Sequence, residues 1–314
     1  MVGDRLKDRV AIVTGAGRGI GRGISILMAE EGAKVVVNDL GGAADGTGAE
    51  KKVADEVVAE IKAAGGDAVA NYDSVTTVEG GESIIRTAVD SFGKLDILVN
   101  NAGILRDRMI FNMAPEEWDA VMKVHLYGVF NCTKPACVLF RQQRSGRVIS
   151  MSSTSGLIGN SGQANYGAAK AGIAGFTRVI ARDMGRYGVT CNAIAPGAST
   201  RMTMSEEVLA ARQIRSSKGV TGGGGAQSPV GAPALRDPDD IAPIVVYLAT
   251  DAAANINGQT FGSSGGTISL YHNPEPMKSI YKDGRWTLDE LDSIMPGTLL
   301  AGLVNPSPPQ APKQ

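Results

Sequence analysis

The chain has 314 residues, enough for one large core or two small ones, and its 31 basic against 32 acidic side chains leave it near neutrality. No global basic field draws it to nucleic acid or to a membrane surface. No apolar run reaches the ~18 residues of a spanning helix, and the charged stretch Met1 to Arg9 lacks the apolar core of a secretion signal.

Short β-branched runs alternate with longer helical stretches. Val10–Thr14, Lys34–Asn38, Ala68–Asn71, Ile97–Asn100, Arg147–Ser150, Val189–Ile194 and Gln259–Gly262 read as strands, several of them apolar throughout, as parallel strands buried on both faces are. Between them, Ile20–Glu31, Ala49–Ala64, Val78–Phe92, Trp118–Gln143, Gln163–Tyr187 and Asp239–Thr250 read as helices. The alternation predicts an α/β fold: a doubly wound, parallel, seven-stranded sheet with helices on both faces. One domain over 1–270 is expected, with a C-terminal extension over 271–304 and a proline-rich, disordered tail over 305–314. Ser199 to Asp237 breaks the alternation with Gly222–Gly225 and three prolines, and is expected to be a substrate lid. Cys132, Cys137 and Cys191 fit no metal spacing and read as reduced thiols, which points to the cytoplasm. With His125 and His272 the only histidines, no metal site is expected.

Thr14 to Gly21 reads T-G-A-G-R-G-I-G, directly after the first strand and opening the first helix. Glycines there let the backbone turn tightly and approach a pyrophosphate at the helix N-terminus. The string fits T-G-x-x-x-G-x-G through Gly15, Gly19 and Gly21, with Arg18 and Ile20 in the same turn. Asp39 ends the second strand, eighteen residues after Gly21. An acid there accepts hydrogen bonds from the ribose hydroxyls and repels a 2′-phosphate, which predicts NAD over NADP. Arg18 argues the other way, and Asp39 also reads as a plain turn residue.

Tyr166 and Lys170 lie four residues apart in a helical run, so both side chains share one face. A free tyrosine, with a pKa of about 10, is a poor base. A neighbouring ammonium favours the phenolate, which makes Tyr166 a candidate general acid/base. Ser153, thirteen residues upstream after a β-rich run, is placed to hydrogen-bond the reacting oxygen. Alone, Y-x-x-x-K reads as readily as a solvated helix face.

Three motifs stand in order: T-G-x-x-x-G-x-G, N-N-A-G at Asn100–Gly103, and Ser153 with Y-x-x-x-K. Together they resemble the short-chain dehydrogenase/reductase family over roughly residues 6 to 265. The strings Val35–Gly42, Ala70–Val75, Asn101–Arg108, Gly162–Tyr166 and Ser199–Thr203 narrow the resemblance. They are similar to the (3R)-hydroxyacyl-CoA dehydrogenase part of peroxisomal multifunctional enzymes and to stand-alone bacterial relatives. The resemblance implies that Ser153 orients the substrate oxygen, Tyr166 exchanges its proton, and Lys170 assists Tyr166 and holds the nicotinamide ribose. It places Asp73 near the adenine and Asn100 near the adenine ribose, and counts Ser74, Ala102 and Gly103 among the cofactor-binding residues. It places Pro196 and Gly197 against the nicotinamide. For Asp73 and Asn100, loop capping and turn bonding are equal readings. Where many members carry a proton-relay asparagine this chain has His125, either serving through its backbone or packed in the helix.

The expected activity is NAD-dependent interconversion of a 3-hydroxyacyl-CoA and a 3-oxoacyl-CoA. The rivals are a 3-oxoacyl-thioester reductase using NADPH, a hydroxysteroid or alcohol dehydrogenase, and a catalytically idle NAD-binding protein. Met202, Met204, Val208 and Leu209 suit either a lid over an apolar tail or a helix packing its own stripe. The resemblance also implies pairing through the two long helices, Trp118–Gln143 and Gln163–Tyr187, into a homodimer or homotetramer.

Overall fold

In a computed structural model, residues 3–48, 50–197 and 237–306 are described. Apart from Asp237, the expected lid over 199–237 lies outside them, as does 307–314 of the expected tail. The contacts divide the chain into two units, Met1–Tyr271 and His272–Gln314.

The first unit is built on an eight-stranded sheet in the order β3-β2-β1-β4-β5-β6-β7-β8. Its strands are β1 (Val10–Thr14), β2 (Lys34–Asn38), β3 (Asp67–Asn71), β4 (Ile97–Asn100), β5 (Gly146–Met151), β6 (Val189–Pro196), β7 (Thr260–Ser264) and β8 (Thr267–Tyr271). β1 to β7 pair in parallel, and β8 returns antiparallel along β7. The expected strand count of seven is thus corrected to eight. The added strand needs only the two-residue turn Gly265–Gly266, where Gly265 takes a φ of 54°, and such a turn joins antiparallel neighbours directly.

Alternation along the buried strands sends side chains to both faces. Ala11, Val13, Val35 and Val37 meet Ile24 and Met28 of α1 (Gly19–Glu30), Val57 and Ile61 of α2 (Lys52–Ala63), and Val245 of α8 (Ala242–Ala249). Ile12, Val36, Leu98 and Val148 meet Ile84 and Ala88 of α3 (Val78–Phe92), Ala136 and Phe140 of α5 (Gly128–Gln143), and Met184 of α7 (Ala164–Gly185). Thr77 caps α3 by accepting from the Gly80 N–H, and Gly93 ends it at a φ of 80°.

The single helix expected over Trp118–Gln143 is divided. α4 (Pro115–Met122) passes through a π-helical turn at Lys123–Tyr127 before α5 begins. The wider turn carries His125 inward, where it is almost fully buried, and such turns concentrate at functional sites. A short helix absent from the sequence reading, α6 (Thr154–Leu157), follows β5.

The second unit contains α9 (Leu288–Ile294). Thr287 and Glu290 cap it reciprocally, and Lys282 pairs with Glu290 at 2.6 Å.

The direction of the chain reverses at β1, whose neighbours β2 and β4 lead away on opposite sides. Crossovers diverge there and leave a crevice at the carboxyl ends of the strands. Phe140 is fully buried beneath this frame. Phe140→Ala should destabilise the protein by about 3–5 kcal/mol, read as a lower denaturant midpoint; a midpoint within a few tenths of a kcal/mol of the parent would contradict the packing described.

Candidate active site

The turn after β1 is bare backbone at the mouth of the crevice. Gly15 and Gly19 take φ values of 62° and 53°, which side chains rarely tolerate. A Cβ on Gly21 would lie 2.2 Å from the Gly15 carbonyl oxygen, and one on Gly15 would lie 2.7 Å from the Ala102 Cα. No side chain caps the start of α1, which follows Arg18 directly. Its first N–H groups, from Gly19, Ile20 and Gly21, are therefore available to an anion.

The turns after β1 and β4 are tied together. The Thr14 hydroxyl accepts from the N–H of Asn101 and of Ala102 at 3.0 and 3.1 Å, and Asn101 Nδ2 donates to the carbonyls of Thr14 and Gly15. Neither Thr14 nor the Asn101 side chain was assigned this part from the sequence. The signal was a polar residue ending an otherwise apolar strand.

Asp39 stands beside the glycine turn. Its carboxylate accepts from the Gly17 N–H at 2.8 Å and the Gly41 N–H at 2.6 Å. It therefore acts as a turn residue, and its remaining lone pairs still leave it able to accept from a ligand. Arg18 lies 3.5 Å from Glu50. A second acid thus stands beside the guanidinium in a half-exposed pair.

The loop after β3 is held by asparagines. Asn38 Nδ2 donates to the Asp73 carbonyl at 2.9 Å, Asn71 Nδ2 to the Asp73 carboxylate at 2.8 Å, and Asn131 Nδ2 to the Val75 carbonyl at 2.9 Å. Ser74 Oγ lies 2.9 Å from Thr76 Oγ1. The Asn100 side chain points into the protein, donating to Thr133 Oγ1 and Ser150 Oγ. Only its backbone is left to face the crevice. Gly197 is fixed to β7 through its N–H to Ser263 and its carbonyl, which accepts from Ser264 Oγ. Pro196 ends β6 beside it.

Ser153, Tyr166, Lys170 and His125 converge. Ser153 precedes α6 and hydrogen-bonds Tyr166, two residues into α7. Lys170 Nζ lies 5.5 Å from the Tyr166 ring centre and donates to the Met151 carbonyl at 2.6 Å. His125 meets the Tyr166 ring edge-on at 5.1 Å, while its Nε2 lies within hydrogen-bond distance of both the carbonyl and the N–H of Ile104. A Cβ on Gly103 would come 2.4 Å from the His125 ring. Ala168, on the other side of α7, is exposed.

The electrostatics differ from the sequence expectation. Burial pushes Tyr166 up to about 12, only partly offset by the Ser153 hydrogen bond, and the Asp107 charge pushes it the same way. Burial brings Lys170 down to about 7. His125 falls well below 6.5 through burial and the neighbouring Lys170, so it is neutral at ordinary pH. Lys170 alone therefore does not make Tyr166 a phenolate, because desolvation acts on both groups and weakens the ammonium.

An α/β sheet with a glycine cradle at its reversal point and a Ser–Tyr–Lys cluster beside it defines a dinucleotide-dependent oxidoreductase. The short chain dehydrogenase family model matches residues 9–212. Hydroxyacyl-CoA dehydrogenase ChsB1 of Mycobacterium tuberculosis is 40% identical over 92% of this chain and 88% of its own length. The 3-oxoacyl-[acyl-carrier-protein] reductase of Synechocystis is 43% identical over 84% of this chain and 98% of its own. Peroxisomal multifunctional enzyme type 2 of Drosophila melanogaster is 44% identical over 85% of this chain, which spans only 41% of that enzyme. A crystal structure of a short chain dehydrogenase from Mycobacterium avium matches 97% of this chain and 98% of its own at 41% identity and a TM-score of 0.79. The chain belongs to the short-chain dehydrogenase/reductase family, and is an oxidoreductase of CH–OH groups. Family members bind NAD or NADP.

Linkage gives the Lys170 shift a sign. Its charge is penalised in the folded state below about 7, and the penalty fades as pH rises towards 10.5, where the unfolded chain also loses the proton. Lys170→Met should therefore be more stable than the parent by on the order of a few kcal/mol near pH 6. That advantage should shrink steadily up to pH 10 in denaturant titrations. A difference that stays flat with pH would show that Lys170 is not desolvated.

Proposed function

We propose that this protein interconverts a 3-hydroxyacyl-CoA and a 3-oxoacyl-CoA using NAD. The observation that carries the chemistry is the convergence of Ser153, Tyr166 and Lys170 beside the glycine turn. The substrate class is supported by similarity to a hydroxyacyl-CoA dehydrogenase along nearly the whole chain. A 3-oxoacyl-thioester reductase remains the second reading, favoured by the Synechocystis relative.

NAD fits the residues present. The glycine turn and the open start of α1 suit a pyrophosphate, and Asp39 keeps the ribose side of the turn acidic while Glu50 offsets Arg18. When bound, the nicotinamide accepts or donates the hydride and, oxidised, brings a positive charge into the site. Ser153 holds the substrate oxygen. Tyr166 takes the hydroxyl proton in oxidation and returns it in reduction. Lys170 is anchored on the Met151 carbonyl, one turn from Tyr166, to hold the nicotinamide ribose. His125 keeps the Ile104 backbone in place behind Tyr166. Asp73 and Ser74 form the adenine end, with Ala102 and Gly103 along the floor and Pro196 and Gly197 beside the nicotinamide.

No described helix is long and apolar enough to cross a membrane. Three free cysteines agree with a reducing compartment such as the cytoplasm. Phe130 and Val138 of α5 and Val179 of α7 stay exposed on the described chain. They suit pairing of two or four copies through these long helices. Light scattering should return a dimer or tetramer; a clean monomer at micromolar concentration would refute the pairing.

The direct test follows dinucleotide reduction with (3R)- and (3S)-hydroxyacyl-CoA thioesters, free hydroxysteroids and simple alcohols. A hydroxyacyl-CoA should be preferred, with NAD favoured over NADP by roughly tenfold or more, about 1.4 kcal/mol of like-charge repulsion. Activity on steroids or alcohols alone would discard the substrate class. Tyr166→Phe should lower kcat on the order of 100- to 10,000-fold with NAD affinity nearly unchanged. Normal turnover in that variant would remove Tyr166 from the chemistry.

A further inference from the structure

Residues 40–48, between β2 and α2, have no part in the proposed reaction, yet they cross the crevice. Their base is set by Asp39, whose carboxylate accepts from the Gly17 N–H at 2.8 Å and the Gly41 N–H at 2.6 Å. Their exposed tip is a folded turn. There the Ala43 N–H donates to the Thr47 carbonyl at 2.7 Å, and the Asp45 carboxylate accepts from the Thr47 N–H and hydroxyl at 3.0 and 2.7 Å. The tip is bonded to the loop after β4. The Leu105 N–H donates to the Ala44 carbonyl and Arg106 Nε to the Asp45 carbonyl, both at 3.0 Å. Gly46, at a φ of 88°, lies against Ile104, since a Cβ there would come 3.1 Å from Ile104 Cδ1.

β2 and β4 flank β1 on opposite sides. Residues 40–48 therefore pass from one side of the glycine turn to the other, a span of about 10 Å for two strand spacings. Together with the Asn101 bonds to Thr14 and Gly15 and the Asp39 bond to Gly17, the crossing closes a ring at the mouth of the crevice. A dinucleotide seated on the glycine turn has to pass this ring to enter or leave. The ties at Asp39 and Asn101 are partly buried, whereas the Arg106 bond is exposed, so the ring opens there first. Arg106 is fixed at its other end, where its carbonyl accepts at 2.9 Å from the side chain of buried Asn165, the residue before Tyr166.

We propose that residues 40–48 are a strap across the dinucleotide site, and that Arg106 is the positioning residue that latches it and so governs how fast the cofactor leaves. This presupposes that the dinucleotide seats on the glycine turn, as proposed above.

Stopped-flow fluorescence of the bound reduced dinucleotide, chased with an excess of the oxidised form, reads the dissociation rate without turnover. Arg106→Ala removes the latch, and that rate should rise about three- to tenfold. Asp45→Ala removes the bonds that shape the tip and should move the rate in the same direction. Asp45→Asn keeps an oxygen for Thr47 and should stay within about twofold of the parent. A plain charge effect would differ, since losing a cation and losing an acid push the release of an anionic ligand in opposite directions. An unchanged or lower rate in either alanine variant, or an Asp45→Asn rate as fast as that of Asp45→Ala, would overturn the latch. The probe is whichever reduced dinucleotide the parent binds, so an error over NADP or over the acyl-CoA class leaves the test intact. A parent that binds neither dinucleotide would overturn the strap together with the proposed function.

Discussion

The joining of the β1 and β4 turns is the constraint on which the rest depends. At the reversal of the sheet the two crossovers run apart, and nothing in the strand ladder holds their first residues together beyond Val13 and Val99. One hydroxyl, Thr14 Oγ1, and one amide, Asn101 Nδ2, span that gap with four hydrogen bonds. The glycine cradle keeps its shape because the neighbouring turn is pinned against it. Buried polar groups of this kind are costly unless satisfied and rigid once they are.

Polar side chains fix the other walls in the same way. Asn38, Asn71 and Asn131 hold the loop after β3, and Gln163 and Asn165 hold the loop after β4 against the start of α7. Asn38 and Asn71 end their strands, Gln163 and Asn165 stand at the start of α7, and Asn131 lies within α5. The core packs the body of the molecule, and these amides decide where its loops stop.

Proton chemistry at such a site is governed by burial. Desolvation works against the charged form of each group, so the phenol is hard to ionise and the ammonium hard to retain. Tyr166 and Lys170 one turn apart are not by themselves an activated pair. Charge brought in by a ligand then weighs heavily where burial already governs both groups.

Strand placement, the helices between the strands, the glycine turn and the Y-x-x-x-K spacing were all legible in the sequence, because they follow from local periodicity and from what a backbone turn permits. Even β8 had its signal in Gly265–Gly266. The π-helical turn that buries His125 was not legible, since one extra residue per turn leaves the apolar pattern almost unchanged. The inward direction of Asn100 was equally hidden, whereas the turn bonding of Asp39 was one of the two readings its position allowed. So was the contact of Asp107 with Gln163, fifty-six residues away. Sequence alone determined the order of elements and the residue types at the crevice. Only the tertiary structure decided which polar atoms meet and how far burial moves their protons, because both depend on neighbours brought from distant parts of the chain.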